Sequence, residues 1–317
     1  MSVDLVEVVR SGVRECVHRG SLVVLDAEQR PLVALGEVHT PIFPRSANKP
    51  WQAVAAMRIG FAPESAEEVA LSTASHSGES DHLDVVRGIL TRHGLDESAL
   101  RCPPALPADE LSRAELIAAG ELPQPLYMEC SGKHAAMLAA CAVNGWPLGD
   151  YLDSAHPMQL AVADVFAALT GDADGEFAID GCGLPIIPLS LSQLANSYRV
   201  LASAPADTPE SAVVSSVREF PRLMSGTGTD DLALMTTVPG LFCKSGADGV
   251  HAGVFDDGTS FAFKIDDGHE RARLPLVAAV AHRVLGESSE DLAALASRPV
   301  LGGGARVGTV RAIPGIL

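Results

Sequence analysis

The chain shows its architecture first in two short apolar runs, Ser21-Leu-Val-Val-Leu-Asp26 and Pro31-Leu-Val-Ala-Leu-Gly36, with a polar turn over residues 27–30 between them. Short apolar runs separated by a few polar residues are typical of a β-hairpin. A hairpin of two strands is marginally stable at best when it stands alone in water. These two strands therefore need partners from another part of the chain.

The candidate partners lie near the other end of the sequence. Strand character returns in Gly240-Leu-Phe-Cys-Lys244 and at residues 250–255 and 260–265, with turn signals at Asp256-Asp-Gly258 and Asp266-Asp-Gly268. Alanine-rich helical patterns occupy the stretch between the two sets of strands, at 47–58, 65–73, 81–91, 131–144, 157–170, 192–203 and 210–223. A last helix is predicted at 274–285, before a glycine loop at 302–304 and a short tail.

This order predicts an α/β protein with an antiparallel sheet built from both chain ends and a helical lobe inserted between them. Residues 1–45 and 238–317 form the predicted sheet-containing lobe, and residues 46–237 form the mainly helical lobe. We expect an active site in the cleft between the lobes, because pockets form preferentially at such junctions.

Composition excludes several classes of function. The 317 residues are 47% apolar and 20% charged, which is an ordinary globular balance, and only 4% are aromatic. A net charge of −17 repels phosphate backbones and anionic lipids, so we expect neither nucleic acid nor a membrane as a partner. The acidic first ten residues do not resemble a signal peptide, and six cysteines without a C-x-x-C pair favour free thiols and a cytoplasmic protein.

Lysine usage is more informative than the total charge. Of 23 basic residues, only four are lysine: Lys49, Lys133, Lys244 and Lys264. Arginine keeps its charge in any ordinary protein setting, whereas lysine can be made neutral by burial or by a neighbouring cation. Lys264 lies at a strand end beside a turn, where a structural role is expected. The other three lie in motifs that suggest chemistry.

The first motif is Ser46-Ala-Asn-Lys49, at the predicted start of a helix. A spacing of three places a serine and a lysine on one face of a helical turn. Pro50 fits the first turn, where its missing N–H is not needed. A neutral Lys49 could take the Ser46 proton and create a nucleophile for acyl transfer, although a capping serine beside a surface lysine gives the same pattern.

A second motif, Ala74-Ser-His-Ser-Gly-Glu79, offers Ser75 as another nucleophile or as a group that binds a substrate carboxylate. A third is Lys244-Ser-Gly246 on the late strand, the K-[ST]-G pattern that accompanies S-x-x-K in serine acyl-enzymes. The S-x-x-K and K-S-G motifs occur in the expected order. Together they favour a serine hydrolase more strongly than either motif does alone.

Two further motifs, Glu129-Cys-Ser-Gly-Lys-His134 and Ile179-Asp-Gly-Cys-Gly-Leu-Pro185, carry soft ligands. Thiolates of Cys130 and Cys182 with the amine of Lys133 could bind Zn²⁺. Lysine is an unusual ligand because it must first lose its proton. The alternative is that both cysteines are small buried hydrophobic residues, as free cysteines usually are.

Taken together, these motifs resemble the asparaginase II family, the rhizobial-type L-asparaginases, from about Val24 to Asp267. The resemblance implies a β-lactamase-like fold, hydrolysis of L-asparagine to L-aspartate and ammonia, and a homodimer. Two features depart from the family pattern, Glu129 before the first cysteine and Gly183 after the second. They could alter substrate preference or metal affinity.

By motif position, the resemblance implies two Ser–Lys tandems, Ser46 with Lys49 and Ser75 with Lys244. It also implies a zinc site whose ligands are Cys130, Lys133 and Cys182, with Asp180 nearby. The candidate substrate-binding residues lie beside these positions in the same motifs: His76, Ser77, His134 and Asp180.

Two alternatives belong to other functional classes. One is a β-lactamase or peptidase acting on another amide, which the missing signal sequence disfavours because such substrates lie outside the cytoplasm. The other is a protein without catalytic activity that binds zinc through its two motif cysteines.

Overall fold

A computed structural model describes residues 1–171, 177–286 and 289–317. The chain divides into two compact units. The sheet unit comprises Met1–Ala47, Leu189–Ser203 and Ala233–Leu317, and the helical unit comprises Asn48–Pro188 and Ala204–Leu232. Both ends of the chain therefore belong to the same unit.

The strands occur mainly in the two terminal parts of the chain. Among the described residues they are β1 (Val3–Arg10), β2 (Val13–Leu25), β3 (Pro31–Leu35), β4 (Pro41–Ile42), β5 (Ala178–Ile179), β6 (Pro185–Ile186), β7 (Leu189–Ser190), β8 (Phe242–Gly246), β9 (Val250–Val254), β10 (Ser260–Ile265), β11 (Ser297–Gly302) and β12 (Ala305–Ala312).

Eight of these strands form one antiparallel sheet in the described part of the chain. Its order is β11-β12-β1-β2-β10-β9-β8, and β3 also pairs with β2. The long strand β2 joins the two ends of the chain, because its second half pairs with β10 in a register that places Val24 opposite Phe261. The predicted sheet from both chain ends with a helical insertion is therefore confirmed.

The helices fill the middle of the sequence and flank the last strands. They are α1 (Lys49–Arg58), α2 (Ala66–Ser72), α3 (Ser80–Arg92), α4 (Glu110–Ala118), α5 (Ser131–Asn144), α6 (Pro157–Thr170), α7 (Leu191–Ala202), α8 (Pro209–Glu219), α9 (Pro221–Met224), α10 (Asp230–Thr237), α11 (Arg273–Leu285) and α12 (Glu290–Leu295). No helix in the described ranges is both long and apolar enough to cross a bilayer.

Helices α7 and α11 cover opposite faces of the sheet. Successive side chains of a strand point to opposite faces. On β8, Phe242 stacks on Tyr198 of α7, with ring centroids 5.2 Å apart, whereas the next residue, Cys243, belongs to the core cluster that contains the buried face of α11.

Helix α7 is where the units differ most from the predicted lobes. It belongs to the sheet unit, although residues 46–237 were predicted to form the helical lobe. The physical reason is its apolar face, on which Leu194, Tyr198 and Leu201 are buried. The Tyr198 hydroxyl also donates a hydrogen bond to the Ala47 carbonyl oxygen, 2.8 Å away.

The helical unit has a core rich in alanine. Helix α1 packs on α5, α6 and α8, and α2 packs on α3 and α5. Small side chains allow helix axes to approach closely, and Gly132 shows how close two helices come. A Cβ atom at this position of α5 would overlap the carbonyl oxygen of Leu71 in α2. This packing fixes the start of α5 against the end of α2.

Candidate active site

Lys49 is the first residue of α1 and its side chain is fully buried. Pro50 follows it, in the first turn of the helix, where a missing N–H leaves no hydrogen bond unmade. The Lys49 Nζ donates to the Ala74 carbonyl oxygen at 2.6 Å and to the Ser75 Oγ at 2.7 Å. A buried amine thus lies within proton-transfer distance of a serine hydroxyl.

The backbone on both sides of the Ser75 side chain is held in place. The Ser75 N–H donates to the Met224 carbonyl oxygen and the His76 N–H donates to the Glu129 carbonyl oxygen, each at 3.1 Å. This extended segment leads from α2 to α3, so it lies between two helix ends. The position of the Ser75 hydroxyl is therefore determined by contacts with two other parts of the helical unit.

Ser77, in the same segment, is part of a hydrogen-bond cluster around Glu79. The Ser77 Oγ donates to the Glu79 Oε1 at 2.6 Å, and the Thr227 backbone N–H donates to the same oxygen at 2.7 Å. Arg222 donates to the other carboxylate oxygen at 2.8 Å. Burial raises the pKa of Glu79, but the hydrogen bonds from Ser77 and Thr227 outweigh it, and the pKa lies below its usual value.

His76 contacts Ser131 rather than its neighbour Ser75. The His76 Nε2 lies 2.8 Å from the Ser131 Oγ, and both side chains are buried. Burial, with smaller effects of His82 and Lys49, holds the pKa of His76 well below its usual range. His76 is therefore a neutral imidazole, which can exchange a hydrogen bond with a hydroxyl in either direction.

The predicted metal ligands Cys130 and Cys182 meet inside the helical unit. Cys130 is the residue that precedes α5, and Cys182 lies in the turn after β5. The two thiols interact, and each shifts the pKa of the other. The interaction with Cys130 lowers the pKa of Cys182 despite its burial, and the charge of Lys133 acts in the same direction. The Cys182 Sγ also lies 3.7 Å from the Asp180 Oδ2.

This donor set fits zinc chemically. Two thiols and one amine converge in a buried place, and thiolate, amine and carboxylate donors are compatible with Zn²⁺. Of the two thiols, Cys182 is the one whose thiolate form is favoured, because the interaction with Cys182 and burial raise the pKa of Cys130. Lys133 donates to the Gln52 Oε1 at 3.1 Å, which orients its amine.

His134 contacts the side chain of Tyr151 inside the helical unit. Its Nδ1 lies 2.7 Å from the Tyr151 hydroxyl oxygen. Burial, followed by the charge of Lys133, lowers the pKa of His134 to about 3. His134 is therefore neutral over the physiological range, and it supports the start of α5 from within the core.

Ser46 and Lys244 belong to the sheet unit. Ser46 lies in a 3₁₀ turn, Arg45–Asn48, immediately before α1. Lys244 lies in the middle of β8 and is fully buried, and its Nζ donates to the Ser245 carbonyl oxygen at 3.2 Å. Each predicted tandem has one member in each unit, and both pairings stay predictions. The structure adds a pair that the motifs did not name, Lys49 with Ser75.

Two supporting residues were missed in the sequence. Gln52, which accepts a hydrogen bond from Lys133, lies three residues after Lys49 on α1. Helical periodicity could therefore have placed Gln52 and Lys49 on one face of that helix. Tyr151, the partner of His134, carries no such signal, because it lies outside the predicted helices and motifs.

Comparison with known proteins gives a family and several distant structures. The family described as L-asparaginase II matches residues 6–312. No curated protein matches the sequence significantly. Among solved structures, a β-lactamase from Mycobacterium bovis is 13% identical, covering 84% of this chain and 94% of that chain, with a TM-score of 0.37.

Two other solved structures show a similarly distant likeness. A Bacillus glutaminase is 14% identical over 79% of this chain and 84% of that chain, with a TM-score of 0.35. The hydrolase EstCE1, which has promiscuous acyltransferase activity, is 14% identical over 84% of this chain and 89% of that chain, with a TM-score of 0.34. The family match covers almost the whole sequence, and the chain therefore belongs to the L-asparaginase II family.

Proposed function

We propose that this protein is an L-asparaginase that hydrolyses L-asparagine to L-aspartate and ammonia through a serine ester. Membership of the L-asparaginase II family supports an amidohydrolase. The observation that carries the chemical part of the proposal is the buried Lys49 amine, 2.7 Å from the Ser75 hydroxyl oxygen.

The first step is attack on the side-chain amide carbon by a serine Oγ. Lys49, in its neutral form, accepts the hydroxyl proton, and a C–O bond forms as the amide carbonyl becomes an oxyanion. The attacking serine is either Ser46, which shares the S-x-x-K motif with Lys49, or Ser75, which contacts it. Backbone N–H groups at a helix start can stabilise the oxyanion, an effect of about 3 kcal/mol per donor in other enzymes.

The second step releases ammonia. The C–N bond breaks and the nitrogen leaves with the proton that Lys49 returns, which leaves an aspartyl ester on the serine. Water then attacks the ester carbon as Lys49 takes a proton from it, and the ester C–O bond breaks as Lys49 returns that proton to the serine oxygen, which releases L-aspartate and restores the serine hydroxyl. Lys49 therefore acts first as a base and then as an acid, as the proton-transfer group does in other acyl-transfer enzymes.

We propose that Cys130, Lys133 and Cys182 hold a zinc ion, with Asp180 beside Cys182. When bound, the ion would polarise a carbonyl oxygen or hold the substrate carboxylate as a Lewis acid. The side chains of these three proposed ligands are buried. A homodimer and a cytoplasmic location stay predictions from the sequence.

The test is ammonia release from L-asparagine and L-glutamine by the purified protein. Ser46→Ala, Ser75→Ala and Lys49→Ala are each compared with Ser72→Ala, because Ser72 is a buried serine of α2 whose hydroxyl donates to the Val69 carbonyl oxygen of the same helix. We expect release from asparagine, loss of most turnover in the Lys49 variant and in at least one of the first two serine variants, and full activity in Ser72→Ala.

Two results would contradict the proposal. Hydrolysis of a chromogenic β-lactam without release of ammonia from asparagine would place the protein among hydrolases of another amide. Tight binding of zinc with no hydrolysis of any amide would indicate a binding protein. Circular dichroism and thermal unfolding of each variant separate a loss of chemistry from a loss of fold.

A further inference from the structure

The turn that carries Ser46 is attached to the sheet unit at the residue just before it. Arg45 forms an ion pair with Asp248, and 27% of the Arg45 side chain is exposed against 61% for Asp248. Asp248 lies in the tight turn between β8 and β9, and β8 ends with the Lys244-Ser-Gly246 motif. The ion pair therefore joins the two motifs that the sequence places about 200 residues apart.

Backbone geometry marks both partners of this ion pair. Arg45 has a φ of +52° and Asp248 a φ of +56°, in the left-handed region that residues other than glycine rarely adopt. Arginine has no special tolerance for this conformation, and such residues persist where surrounding contacts over-determine them. The Asp248 carboxylate supplies one such contact to the Arg45 side chain.

Packing brings the same two segments together independently of the charges. A Cβ atom at Gly246 would lie 2.6 Å from the Pro44 carbonyl oxygen and 3.3 Å from the Arg45 Cβ. The end of β8 is thus pressed against the two residues that precede Ser46. Only a glycine leaves room for this approach.

Two further contacts surround the ion pair, and a third holds the residue that follows Ser46. The Lys264 amine donates to the Asp248 carbonyl oxygen. Arg273 donates to the Gly246 carbonyl oxygen at 3.1 Å. On the other side of Ser46, the Ala47 carbonyl oxygen accepts the hydrogen bond from Tyr198. Both neighbours of Ser46 are therefore held by side chains of the sheet unit.

We propose that Asp248 is a positioning residue for Ser46: its carboxylate holds Arg45 in the left-handed conformation and so fixes the Ser46 hydroxyl relative to β8. The inference rests on the proposed function, in which Ser46 belongs to the catalytic groups. The proposal also gives Lys264 a structural role, because its amine supports the turn that contains Asp248. Small displacements of a reacting group can cost up to about 100-fold in rate, so the expected effect is kinetic.

The test compares Asp248→Asn and Asp248→Gly with a matched control. Both replacements tolerate a positive φ, so they remove the carboxylate charge without straining the turn. The control is Asp26→Asn, because Asp26 is also a turn carboxylate of the same sheet and also pairs with an arginine, Arg30. Partly exposed ion pairs contribute little stability, so the midpoint of thermal unfolding should change by less than about 3 °C in all three variants.

The readouts are steady-state kinetics and the reactivity of individual serines. We expect the Asp248 variants to lower kcat for ammonia release about tenfold, with KM changed less than twofold, and Asp26→Asn to change neither. Arg45→Gln should lower kcat to the same extent, and Asp248→Asn added to it should cause no further loss, because one residue acts through the other. Labelling by a fluorophosphonate should slow at Ser46 but not at Ser75, as followed by peptide mass spectrometry.

The outcomes separate this proposal from the proposed function. If the protein releases ammonia but Asp248→Asn behaves like Asp26→Asn in both readouts, or its effect adds fully to that of Arg45→Gln, the positioning role is wrong and the function stands. If no amide is hydrolysed but labelling of Ser46 still slows in the Asp248 variants, the substrate is wrong and the positioning role stands. A protein with neither hydrolysis nor labelling at Ser46 overturns both.

Discussion

The Lys49 amine donates hydrogen bonds to the Ser75 hydroxyl and the Ala74 carbonyl oxygen, and Lys49→Arg separates its charge from its basicity. Arginine keeps a positive charge at this position but cannot act as a base at neutral pH. We expect kcat for asparagine hydrolysis to fall by 10²–10⁴-fold, the usual contribution of a general base. The measurement is the steady-state rate of ammonia release, beside a thermal unfolding curve. A variant that keeps more than half of the activity would show that Lys49 supplies only charge.

His76 gives a prediction about stability and pH. Because burial lowers the pKa of His76 in the folded state, the unfolded chain binds a proton below about pH 6.5 that the folded chain does not bind. The free energy of unfolding should therefore decrease as the pH falls from 6.5 towards 5. This one group contributes a slope of about 1.4 kcal/mol per pH unit once the unfolded histidine is fully protonated.

The variant His76→Gln should remove that slope, because glutamine does not titrate and can still bond to Ser131. Urea denaturation at pH 7, 6 and 5 measures the effect, with His39→Gln as the control because His39 is exposed. His134, whose pKa burial lowers to about 3, adds a slope of its own in this window and keeps it in both variants, whereas Glu79 and the other carboxylates with lowered pKa values act below about pH 4.5, outside the window. Equal slopes in wild type and His76→Gln would contradict the neutral buried imidazole.

At the scale of elements, the contact between α2 and α5 determines where the Cys130 and Lys133 motif lies. Gly132→Ala would place a methyl group against the Leu71 carbonyl oxygen, and overpacking of this kind costs about 1–3 kcal/mol. The matched control is Gly88→Ala, since Gly88 lies in α3 with open space around its Cα. That change should instead stabilise the protein by about 0.5–1 kcal/mol.

Urea denaturation midpoints of the two glycine variants test this contact. If Gly132→Ala is as stable as Gly88→Ala, the helices are not in the close contact described. Zinc affinity of Gly132→Ala is a second readout, because a shift of α5 moves two of the three proposed ligands together.

Local sequence patterns predicted many of the elements and missed others for identifiable reasons. Helices α5 and α6 have the predicted bounds, because each is an alanine-rich apolar pattern that ends at a left-handed glycine. The predicted helix at 210–223 is instead two helices, α8 and α9. Pro221 separates them, since it lacks the N–H that a continuous helix needs.

The strands β1, β11 and β12 were not predicted. The pairing of β1 with β12 is distant in sequence, with Val6 opposite Ala312, and no local pattern reports a partner about 300 residues away, whereas β1 also pairs with β2, and β11 with β12, as local hairpins. The glycine loop at 302–304 is the hairpin turn between β11 and β12. The candidate site was likewise predicted in part, because its residues were identified but not their contacts. The motifs identified Lys49 and Ser75 separately, whereas their contact depends on how α1 and α2 pack.

At the scale of the whole molecule, the proposed zinc site should link metal binding to folding. A ligand that binds only the folded state stabilises it, by about 2.7 kcal/mol at a free concentration 100 times the dissociation constant. We expect zinc to raise the midpoint of thermal unfolding by several degrees and a chelator to reverse the rise. Elemental analysis should find one zinc per chain.

The matched variants for zinc are Cys182→Ser and Cys141→Ser. Both cysteines are buried in the helical unit, but only Cys182 belongs to the proposed ligands. Cys182→Ser should abolish the zinc-dependent rise, and Cys141→Ser should retain it whatever its own stability. An equal rise in both variants would place the metal elsewhere.

The most direct test of the central claim, a serine ester formed with the help of Lys49, is chemical quenching of the enzyme during turnover of L-asparagine, followed by peptide mapping. We predict an aspartyl ester on Ser46 or Ser75 in the wild type, and none on either serine in Lys49→Arg. Steady release of ammonia with no ester on any serine, and with unchanged rates in Lys49→Arg, would contradict the claim.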